Sequence, residues 1–527
     1  AYSVFQRWEP QKPLYLVLLL LGIPALMAST VASDFTSISI AVVSTFFVYF
    51  GSIMLLAAGY RLSVLHPLAN YPGPISNRLS SFWIVWVSSR GKKHRYYQEL
   101  HGIYGDFVRT GPNELSVCDA QAIQDVLGAP GLPKGPAWDN RHPAGEVVPL
   151  LELRDTTEHA QRRKPWARAL NSSGLKTFEP VVVDRVRELV KHLTLASEAT
   201  DEVNFAMWMK AFSHSLTVPC RFDTDFEFMK RGGDTESIWP IFEDGMKAIS
   251  VASYVSWLLP TVHAVMPMDH LIQRGVQITK KWVGERGQRG SSIKDLFYHL
   301  INEDGLESER PPLEAVAAEG ILAVIAGSDT TATALTALFY YLLKNAEKLS
   351  KLRAEVDSHF ARDEEPVDFG TLAGMEYLNA CINEALRLYP AVMSGSQRQV
   401  PRGSGGKMIG SRFVPEGTSI LIHTFSIHRD PRNFSHPDSF LPERWLVDGR
   451  PSDMKHNPEA FIPFSFGPQN CVGKNLAMME LRAVVASIVQ RLNVSATAGS
   501  GLEQWEGDVK DWFITLLPPL HVRLQVR

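Results

Sequence analysis

The sequence predicts a mainly α-helical fold with small β-sheets, in which one soluble domain follows an N-terminal membrane anchor. Long helical patterns of apolar residues fill most of the chain, whereas strand-like alternation is confined to a few short segments. Two apolar stretches near the N-terminus are long enough to cross a bilayer. We therefore divide the 527 residues into an anchor at 1–60, a proline-rich connector at 61–74 and one domain at 75–527.

The anchor is predicted from the distribution of charged residues. No charged residue lies between Lys12 and Asp34 or between Asp34 and Arg61, so each gap approaches the ~20 residues of a membrane-spanning helix. Arg7 and Lys12 precede the first stretch and further basic residues follow the second, which predicts that both ends lie in the cytosol. We expect a helical hairpin. The alternatives are a single span at residues 38–59 and a signal peptide in the first stretch.

The connector, HPLANYPGP, is expected to be extended and semi-rigid, because three of its residues are prolines.

The domain behind it is expected to contain one long, buried helix from Pro312 to Lys344. Segments 106–111 and 114–119 are typical of a hairpin, and segments 411–424 and 520–526 show similar alternation.

Net charge and cysteine content argue against two classes of protein. The formal net charge of -3 gives no electrostatic signature of nucleic-acid binding. The four cysteines form no C-x-x-C pair and are too few for a disulfide framework. We expect Cys118, Cys220 and Cys381 to be small buried apolar side chains.

Cys471 differs from the other cysteines in its surroundings. It lies between glycines in FSFGPQNCVGKNLA, immediately before a predicted helix. A lone cysteine is usually a packing residue. Here Gly467 and Gly473 allow the backbone to approach a large flat group, and the helix N-terminus favours a thiolate. A single soft thiolate ligand suits haem iron better than zinc.

Phe464, Gly467, Cys471 and Gly473 match the pattern F-x-x-G-x-x-x-C-x-G, and on this motif the chain resembles the cytochrome P450 family. The resemblance covers the chain from the anchor to the last strand. It implies the cytochrome P450 fold and a haem b bound through Cys471, with the other three residues in the haem-binding loop. The spellings GPQNCVGKNLA and HPLANYPGP are similar to those of fungal members.

A second motif, EALR, places Glu384 and Arg387 on one face of a helix. Alone, this spacing is more typical of a solvated ion pair. The resemblance implies that Arg444, from the segment PERW, joins them in a structural network. That network would hold the Cys471 loop and take no part in the chemistry.

A third motif, AGSDTT, places Asp329 and Thr330 in the middle of the long apolar helix. Thr330 could simply bond to the preceding helical turn and bend the helix at Gly327. The resemblance implies in addition that Asp329 and Thr330 are catalytic and deliver protons for oxygen activation. The two interpretations are compatible.

The basic segment EHAQRRKPWARAL is, by resemblance, a source of haem propionate contacts. His159 and Arg163 occupy the spacing of the family's W-x-x-x-R motif, and Arg398 matches a further propionate-binding arginine. Gln469 stands where the family commonly has arginine. Glutamine carries no charge, so propionate neutralisation is expected to depend on the other three residues.

Together these motifs predict a haem-thiolate monooxygenase that inserts one oxygen atom from O2 into a hydrophobic small molecule. No flavin or dinucleotide fingerprint accompanies the haem motif, so the resemblance implies electrons from NADPH through NADPH-cytochrome P450 reductase, with cytochrome b5 as a further partner. The resemblance places the enzyme at the endoplasmic reticulum membrane, in fungal secondary metabolism or detoxification. Three N-glycosylation patterns, at Asn171, Asn433 and Asn493, would stay unmodified in a cytosolic domain.

The substrate and the alternatives depend on weaker signals. The segments expected to line the pocket are mostly apolar and contain no clustered charge pair, which favours a hydrophobic substrate. A haem-thiolate isomerase or dehydratase would need no external electrons, and a membrane haem sensor would need no proton relay. The intact pair Asp329 and Thr330 argues against both alternatives.

Overall fold

The computed structural model describes residue 4, residues 13–142, 145–217, 238–265, 294–497 and 501–527, residue 499, and short stretches between 228 and 290. The burial predicted for Cys220 and the positions of Arg7 and Lys12 lie outside the described residues.

Helices dominate the described chain, as the sequence predicts. They are α1 (Pro13–Val17), α2 (Ile23–Val31), α3 (Ile38–Leu62), α4 (Ile75–Leu79), α5 (Phe82–Ser89), α6 (Lys93–Tyr104), α7 (Ala122–Leu127), α8 (Thr156–Leu170), α9 (Ser172–Ala199), α10 (Phe205–Thr217), α11 (Ile238–Ala252), α12 (Leu259–Val265), α13 (Leu296–Leu300), α14 (Leu313–Lys344), α15 (Ala346–His359), α16 (Phe369–Gly374), α17 (Glu376–Leu388), α18 (Thr424–His428), α19 (Lys474–Arg491) and α20 (Leu502–Asp508).

The strands are short and form small sheets. They are β1 (Phe107–Gly111), β2 (Glu114–Val117), β3 (Val203–Asn204), β4 (Arg398–Gln399), β5 (Lys407–Ile409), β6 (Arg412–Val414), β7 (Ser419–Ile422), β8 (Leu492–Ala496), β9 (Lys510–Trp512), β10 (Ile514–Leu516) and β11 (His521–Val526). The largest sheet has the order β1-β2-β7-β4, and a three-stranded sheet has the order β3-β11-β8.

The predicted hairpin is confirmed: β1 and β2 pair antiparallel, with Phe107 opposite Val117. The predicted strand segment at 411–424 contains two strands that join different sheets. β6 pairs with β5, whereas β7 runs parallel to β2, with Glu114 opposite Ser419. A parallel pairing between segments so far apart in the chain has no local sequence signal.

The long predicted helix is α14, which begins directly after its N-cap residue, Pro312. Every residue from Thr331 to Leu342 is buried, which agrees with its apolar composition on all sides. Helix α10 packs along α14, and α19 contacts it from another side. The AGSDTT segment therefore lies at the centre of the domain.

Near the N-terminus, Leu14–Asp34 and Ile38–Leu62 are long and apolar enough to span a membrane. These two stretches contact each other, and Tyr49 donates a 2.6 Å hydrogen bond to the Leu19 carbonyl. Helix α14 meets the same criteria of length and composition but is buried inside the domain. The two exposed apolar stretches indicate that the protein associates with a membrane.

The connector is not the extended spacer that the prolines predict. Helix α3 continues to Leu62, the next residues form turns, and Leu68 is 1% exposed in the core beside the largest sheet. The buried Arg109 of β1 donates to the Arg61 carbonyl at 3.0 Å and to His66 Nε2 at 3.2 Å. These hydrogen bonds attach the connector to the domain, because a buried guanidinium requires acceptors.

Candidate active site

A cavity of about 450 Å³ lies in the centre of the domain, between α14, α8 and the N-terminal end of α19. Cys471 lines this cavity and its side chain is exposed to it. Helix α14 contributes another part of the wall, in which Ile321, Leu322 and Ile325 are followed by a run of mostly small residues: Ala323, Ala326, Gly327, Thr330, Thr331 and Ala334. Most of the remaining wall is apolar. The sequence therefore brings Cys471 and Thr330 to one cavity.

The loop that carries Cys471 is held by its own backbone. The Cys471 N–H donates to the Phe464 carbonyl at 2.9 Å. Gly467 has φ +72°, and a Cβ there would lie 2.0 Å from the Leu127 carbonyl oxygen. Gly467 is thus required by the turn and by close contact with α7. This differs from the sequence-based interpretation, in which the glycine makes room for a flat group.

The predicted helix begins directly behind the cysteine, with Gly473 as the N-cap of α19. Burial raises the pKa of the Cys471 thiol, whereas the backbone N–H groups of Gly473 and Lys474 and the Arg163 guanidinium lower it. The net direction is upward. The helix N-terminus favours the thiolate, as predicted, but a cation at the sulfur is needed to outweigh burial.

Basic side chains converge on one end of the cavity. Arg163 donates two 2.7 Å hydrogen bonds to Asn470, one to its carbonyl and one to its side-chain oxygen. Arg398 donates to the side chain of Gln469, the residue that replaces the family's arginine. His159 is 5% exposed beside them. All three predicted propionate contacts therefore border the cavity.

Lys134 is a fourth member of this basic cluster that the sequence analysis missed. It is 3% exposed, and its ammonium donates to the Leu150 carbonyl at 3.3 Å. Its only sequence signal is a lysine within the otherwise uncharged segment 129–138. Burial, then the neighbouring Arg398, lowers the pKa of Lys134 to about 7. Burial and then Lys134 likewise lower the pKa of His159 to about 4.

Among the described residues, no carboxylate forms an ion pair with Lys134, His159, Arg163 or Arg398. Arg398 in particular is a buried cation that forms no ion pair with a carboxylate, and such a charge is costly. The Nε of Arg398 also has no hydrogen-bond partner within the described part of the chain. The cluster fits a ligand with carboxylates at one edge, and the apolar cavity with Cys471 fits the remainder of a haem.

Glu384, Arg387 and Arg444 meet in the core and are fully buried. Arg387 donates to both carboxylate oxygens of Glu384, at 2.8 and 2.9 Å, and Arg444 donates to Oε1 at 3.0 Å. Burial raises the pKa of Glu384, but Arg387 outweighs it and the pKa is lowered. The pair is therefore not the solvated surface pair that its spacing alone suggests.

A line of hydrogen bonds leads from this network to the cysteine loop. Arg387 donates to the His428 carbonyl at 2.8 Å, and His428 Nε2 accepts from the Ile462 N–H at 2.9 Å. Ile462 precedes Phe464 by two residues. Burial lowers the pKa of His428 to about 3, so this ring is neutral and able to accept.

Asp329 and Thr330 point to different places. Thr330 lines the cavity and donates a 2.6 Å hydrogen bond to the Ala326 carbonyl, which is the local bond that the helix-bending interpretation predicts. Asp329 is not among the residues that line the cavity. Its Oδ1 lies 3.5 Å from His214 Nε2 and 3.6 Å from Lys210 Nζ, both on α10. The sequence analysis missed these two basic partners, whose only signal is their i, i+4 spacing on one helical face.

The environment of Asp329 holds it in the ionised form. Burial raises the pKa of its carboxyl, whereas the adjacent His214 and Lys210 side chains lower it, and the net direction is downward. Lys210 also pairs with Glu243 of α11. The acid is therefore linked to charged groups outside the cavity, while the hydroxyl next to it faces the cavity.

The cavity wall is less uniformly apolar than the sequence predicts. His142 Nε2 lies 3.0 Å from Glu152 Oε2, and Arg141 Nη1 lies 3.6 Å from Glu152 Oε1. All three residues line the cavity. The expectation of no clustered charge was wrong, because no spacing rule predicts contact between residues ten apart in the sequence.

Comparison with known proteins decides the family. A model described as Cytochrome P450 matches residues 72–520. The chain belongs to the cytochrome P450 family. It is 34% identical over 497 residues to the cytochrome P450 monooxygenase nodW of Hypoxylon pulicicidum, with 94% of this chain and 89% of that protein covered. It is 34% identical over 476 residues to the cytochrome P450 monooxygenase orf5 of Eupenicillium brefeldianum, with 89% and 93% covered.

Another relative is cytochrome P450 67 of Uromyces fabae, which is 30% identical over an alignment of 532 residues that covers 98% of this P450 and 96% of that protein. The predicted family, the mainly helical fold and the oxidoreductase class are thereby confirmed. Membership implies a haem cofactor and redox partners for this P450. The cavity described above fits that cofactor on its own geometry.

Proposed function

We propose that this P450 is a membrane-anchored monooxygenase that inserts one atom of O2 into a hydrophobic small molecule. Its electrons come from NADPH through NADPH-cytochrome P450 reductase, with cytochrome b5 as a further donor. The observation that carries the proposal is the cavity itself. It combines an exposed cysteine, a hydroxyl on α14, and a cluster of basic side chains that form no ion pair with a carboxylate among the described residues.

The chain's own residues would hold the cofactor from two sides. Cys471 would bind the haem iron, on a loop supported by Phe464, Gly467 and Gly473. Arg163, Arg398, His159 and Lys134 would contact the propionates. Gln469 would orient Arg398 by accepting its hydrogen bond, in place of the charge that an arginine would add. Bound haem supplies reductive activation of O2 and oxygen insertion.

The polar groups of α14 would manage protons. Ionised Asp329 would take protons that reach Lys210 and His214 from outside the cavity. Thr330 would present its hydroxyl to the cavity, where it would orient the hydrogen bonds of water. The back-bond from Thr330 to Ala326 leaves the hydroxyl oxygen free to accept a hydrogen bond.

The substrate class follows from the wall of the cavity. Most lining residues are apolar, which supports a hydrophobic molecule that arrives partly through the membrane. The exposed N-terminal stretches support an endoplasmic reticulum location with residues 75–527 on the cytosolic side. Fungal relatives support a context of secondary metabolism or detoxification.

Reconstitution with a purified reductase tests this function. The full-length protein in vesicles is supplied with NADPH, isotopically labelled dioxygen and a panel of apolar compounds. We expect labelled product that requires both NADPH and the reductase. Conversion of a compound without NADPH would instead indicate an isomerase or dehydratase. A protein that binds haem but converts no compound, with or without NADPH, would favour a sensor.

A further inference from the structure

Arg141 is a buried cation in the cavity wall that neither the motifs nor the proposed haem contacts assign. It lies in the segment between α7 and α8, lines the cavity and is 6% exposed. Its Nε donates a 2.9 Å hydrogen bond to the Ala137 carbonyl. The central carbon of its guanidinium lies 4.0 Å from the centroid of the Trp138 ring. The side chain is therefore held in place by one backbone bond and by an aromatic ring.

The terminal nitrogens of Arg141 are available to a ligand. Neither Nη1 nor Nη2 donates a hydrogen bond to a described residue, and both keep accessible surface, whereas Nε2 of the neighbouring His142 is fully enclosed. A buried guanidinium normally has its donors satisfied, because an unpaired polar group in an apolar wall is costly. The free edge of Arg141 therefore indicates a ligand that supplies acceptor oxygens.

Glu152 neutralises Arg141 only in part. Glu152 Oε1 lies 3.6 Å from Arg141 Nη1, which is too far for a hydrogen bond, and Oε2 lies 3.0 Å from His142 Nε2. Burial lowers the pKa of His142, but Glu152 outweighs burial and the pKa is raised. One carboxylate is thus shared between two basic side chains. The three residues together leave positive charge in the cavity wall.

Phe513 is a second aromatic neighbour of the guanidinium, and it also lines the cavity. Its φ of +69° is rare for a bulky residue and costs free energy. Its ring lies edge-on against Trp138, with centroids 5.4 Å apart, and its centroid is 6.0 Å from the guanidinium of Arg141. A strained residue beside an unpaired cation is typical of a ligand-binding site.

We propose that Arg141 binds the carboxylate of the substrate, so that this P450 acts on an apolar carboxylic acid. A planar guanidinium with two free terminal nitrogens matches a carboxylate in two parallel hydrogen bonds. The apolar remainder of the acid would occupy the rest of the cavity, whose wall is mostly apolar. The proposal rests on the proposed monooxygenase function and narrows its substrate class. Arg141 sets specificity and takes no part in the oxygen chemistry.

Equilibrium binding of matched acids and amides tests the charge of the ligand. The full-length holoprotein, in one detergent throughout, is titrated with decanoic acid and decanamide, and with 1-naphthaleneacetic acid and its amide. The members of each pair differ in charge and hardly in shape. The wild type should bind the acid of at least one pair about tenfold more tightly than the amide. Equal or weaker binding of the acid in both pairs, or no binding of either acid, would overturn the proposal.

Substitution of Arg141 separates ligand binding from packing. Arg141→Met should weaken binding of the acid about tenfold and leave amide binding within a factor of about two. Arg141→Lys keeps the charge without the planar fork and should lose part of the preference. Arg482→Met is the control, because Arg482 of α19 also donates through Nε, at 2.7 Å to Asn379, but does not line the cavity. It should keep the wild-type preference. Equal losses of acid and amide binding in Arg141→Met would indicate a packing role and overturn the proposal.

Haem content separates the substrate from the other carboxylates that could reach Arg141, the haem propionates. Arg141→Met should retain the haem content of the wild type. Loss of haem from this variant would assign the guanidinium to a propionate and overturn the proposal. Binding is measured without turnover, so the proposed function can fail separately. A preference for acids without any oxygenated product would count against the monooxygenase function, whereas labelled product from neutral compounds alone would overturn the specificity for acids.

Discussion

Asp329 on α14 lies 3.5 Å from His214 on α10, and Lys210 lies one helical turn from His214, 3.6 Å from the same carboxylate oxygen. This contact links the acid of the AGSDTT motif to a second helix and away from the cavity. The acid and the hydroxyl of the motif therefore have separate environments, which mutations can address one at a time.

Removing the charge at Lys210 should change the pH dependence of turnover. The folded protein lowers the pKa of Asp329 below that of an ordinary aspartate, so its carboxyl stays ionised to lower pH. The ionised carboxylate stabilises the fold above the ordinary aspartate pKa, and this stabilisation is lost as pH falls through the lowered pKa. Lys210→Met removes one of the groups that lower this pKa. The acid limb of turnover should then move to higher pH. Lys191→Met, at an exposed site on α9, is the control, and an identical limb in both variants would contradict this assignment.

Thr330→Ala should uncouple oxygen reduction from product formation. Haem and substrate binding do not depend on the hydroxyl, so NADPH consumption should continue while product per NADPH falls and hydrogen peroxide rises. Asp329→Asn keeps the shape of the acid and should mainly slow turnover. Product, peroxide and NADPH are measured together in each variant.

Ser328→Ala provides the matched control for Thr330→Ala. Ser328 donates to the Val324 carbonyl at 2.5 Å, the same kind of backbone bond that Thr330 makes, but it is buried away from the cavity. If the hydroxyl of Thr330 only shapes the helix, the two variants should behave alike. Uncoupling confined to Thr330→Ala is the expected result.

Much of this arrangement could be predicted from the sequence. The haem loop, the long helix and the E-x-x-R pair depend on local spacing, which survives folding unchanged. The residues that contact these motifs from other parts of the chain could not be predicted from local spacing. Lys210 and His214 approach the AGSDTT turn from another helix, and nothing in their own segment indicates which residue they contact.

The connector and the charged cluster at Glu152 are two further features that the sequence alone did not predict. Prolines predicted an extended segment, but the acceptor requirement of buried Arg109 determines where residues 61–66 lie. Composition predicted an apolar pocket, but His142 and Arg141 lie against Glu152 in its wall. In both cases an ion pair or hydrogen bond between distant parts of the chain outweighs the preference of the local sequence.

Glu384→Gln should destabilise the domain far more than a surface change of the same kind. Glutamine leaves Arg387 and Arg444 buried without a counter-charge, which costs about 3–5 kcal/mol. Glu188→Gln is the control because Glu188 pairs with Arg185 at the same i, i+3 spacing, and both side chains of that pair are partly exposed to solvent. Its cost should be about 0–1 kcal/mol. Thermal unfolding measures both, and equal losses would contradict a structural role for the network.

The orientation of the membrane anchor can be read from glycosylation and protease access. Asn171 is exposed as the N-cap of α9, whereas Asn433 is 7% exposed and donates to the Ile427 carbonyl. Asn171 is therefore a better reporter than Asn433. In sealed microsomes we expect no glycan on Asn171 and digestion of residues beyond 75 by added protease. A glycan on Asn171, or protection of the domain, would reverse the orientation.

The ferrous carbonyl spectrum of wild type and Cys471→Ser tests the central assignment most directly. A serine hydroxyl stays protonated at neutral pH and cannot replace a thiolate, while the buried cations that border the cavity remain in place. We expect the wild type to show the spectrum of a thiolate-ligated haem and Cys471→Ser to lose it. A thiolate spectrum that persists unchanged in Cys471→Ser would show that the ligand is another residue.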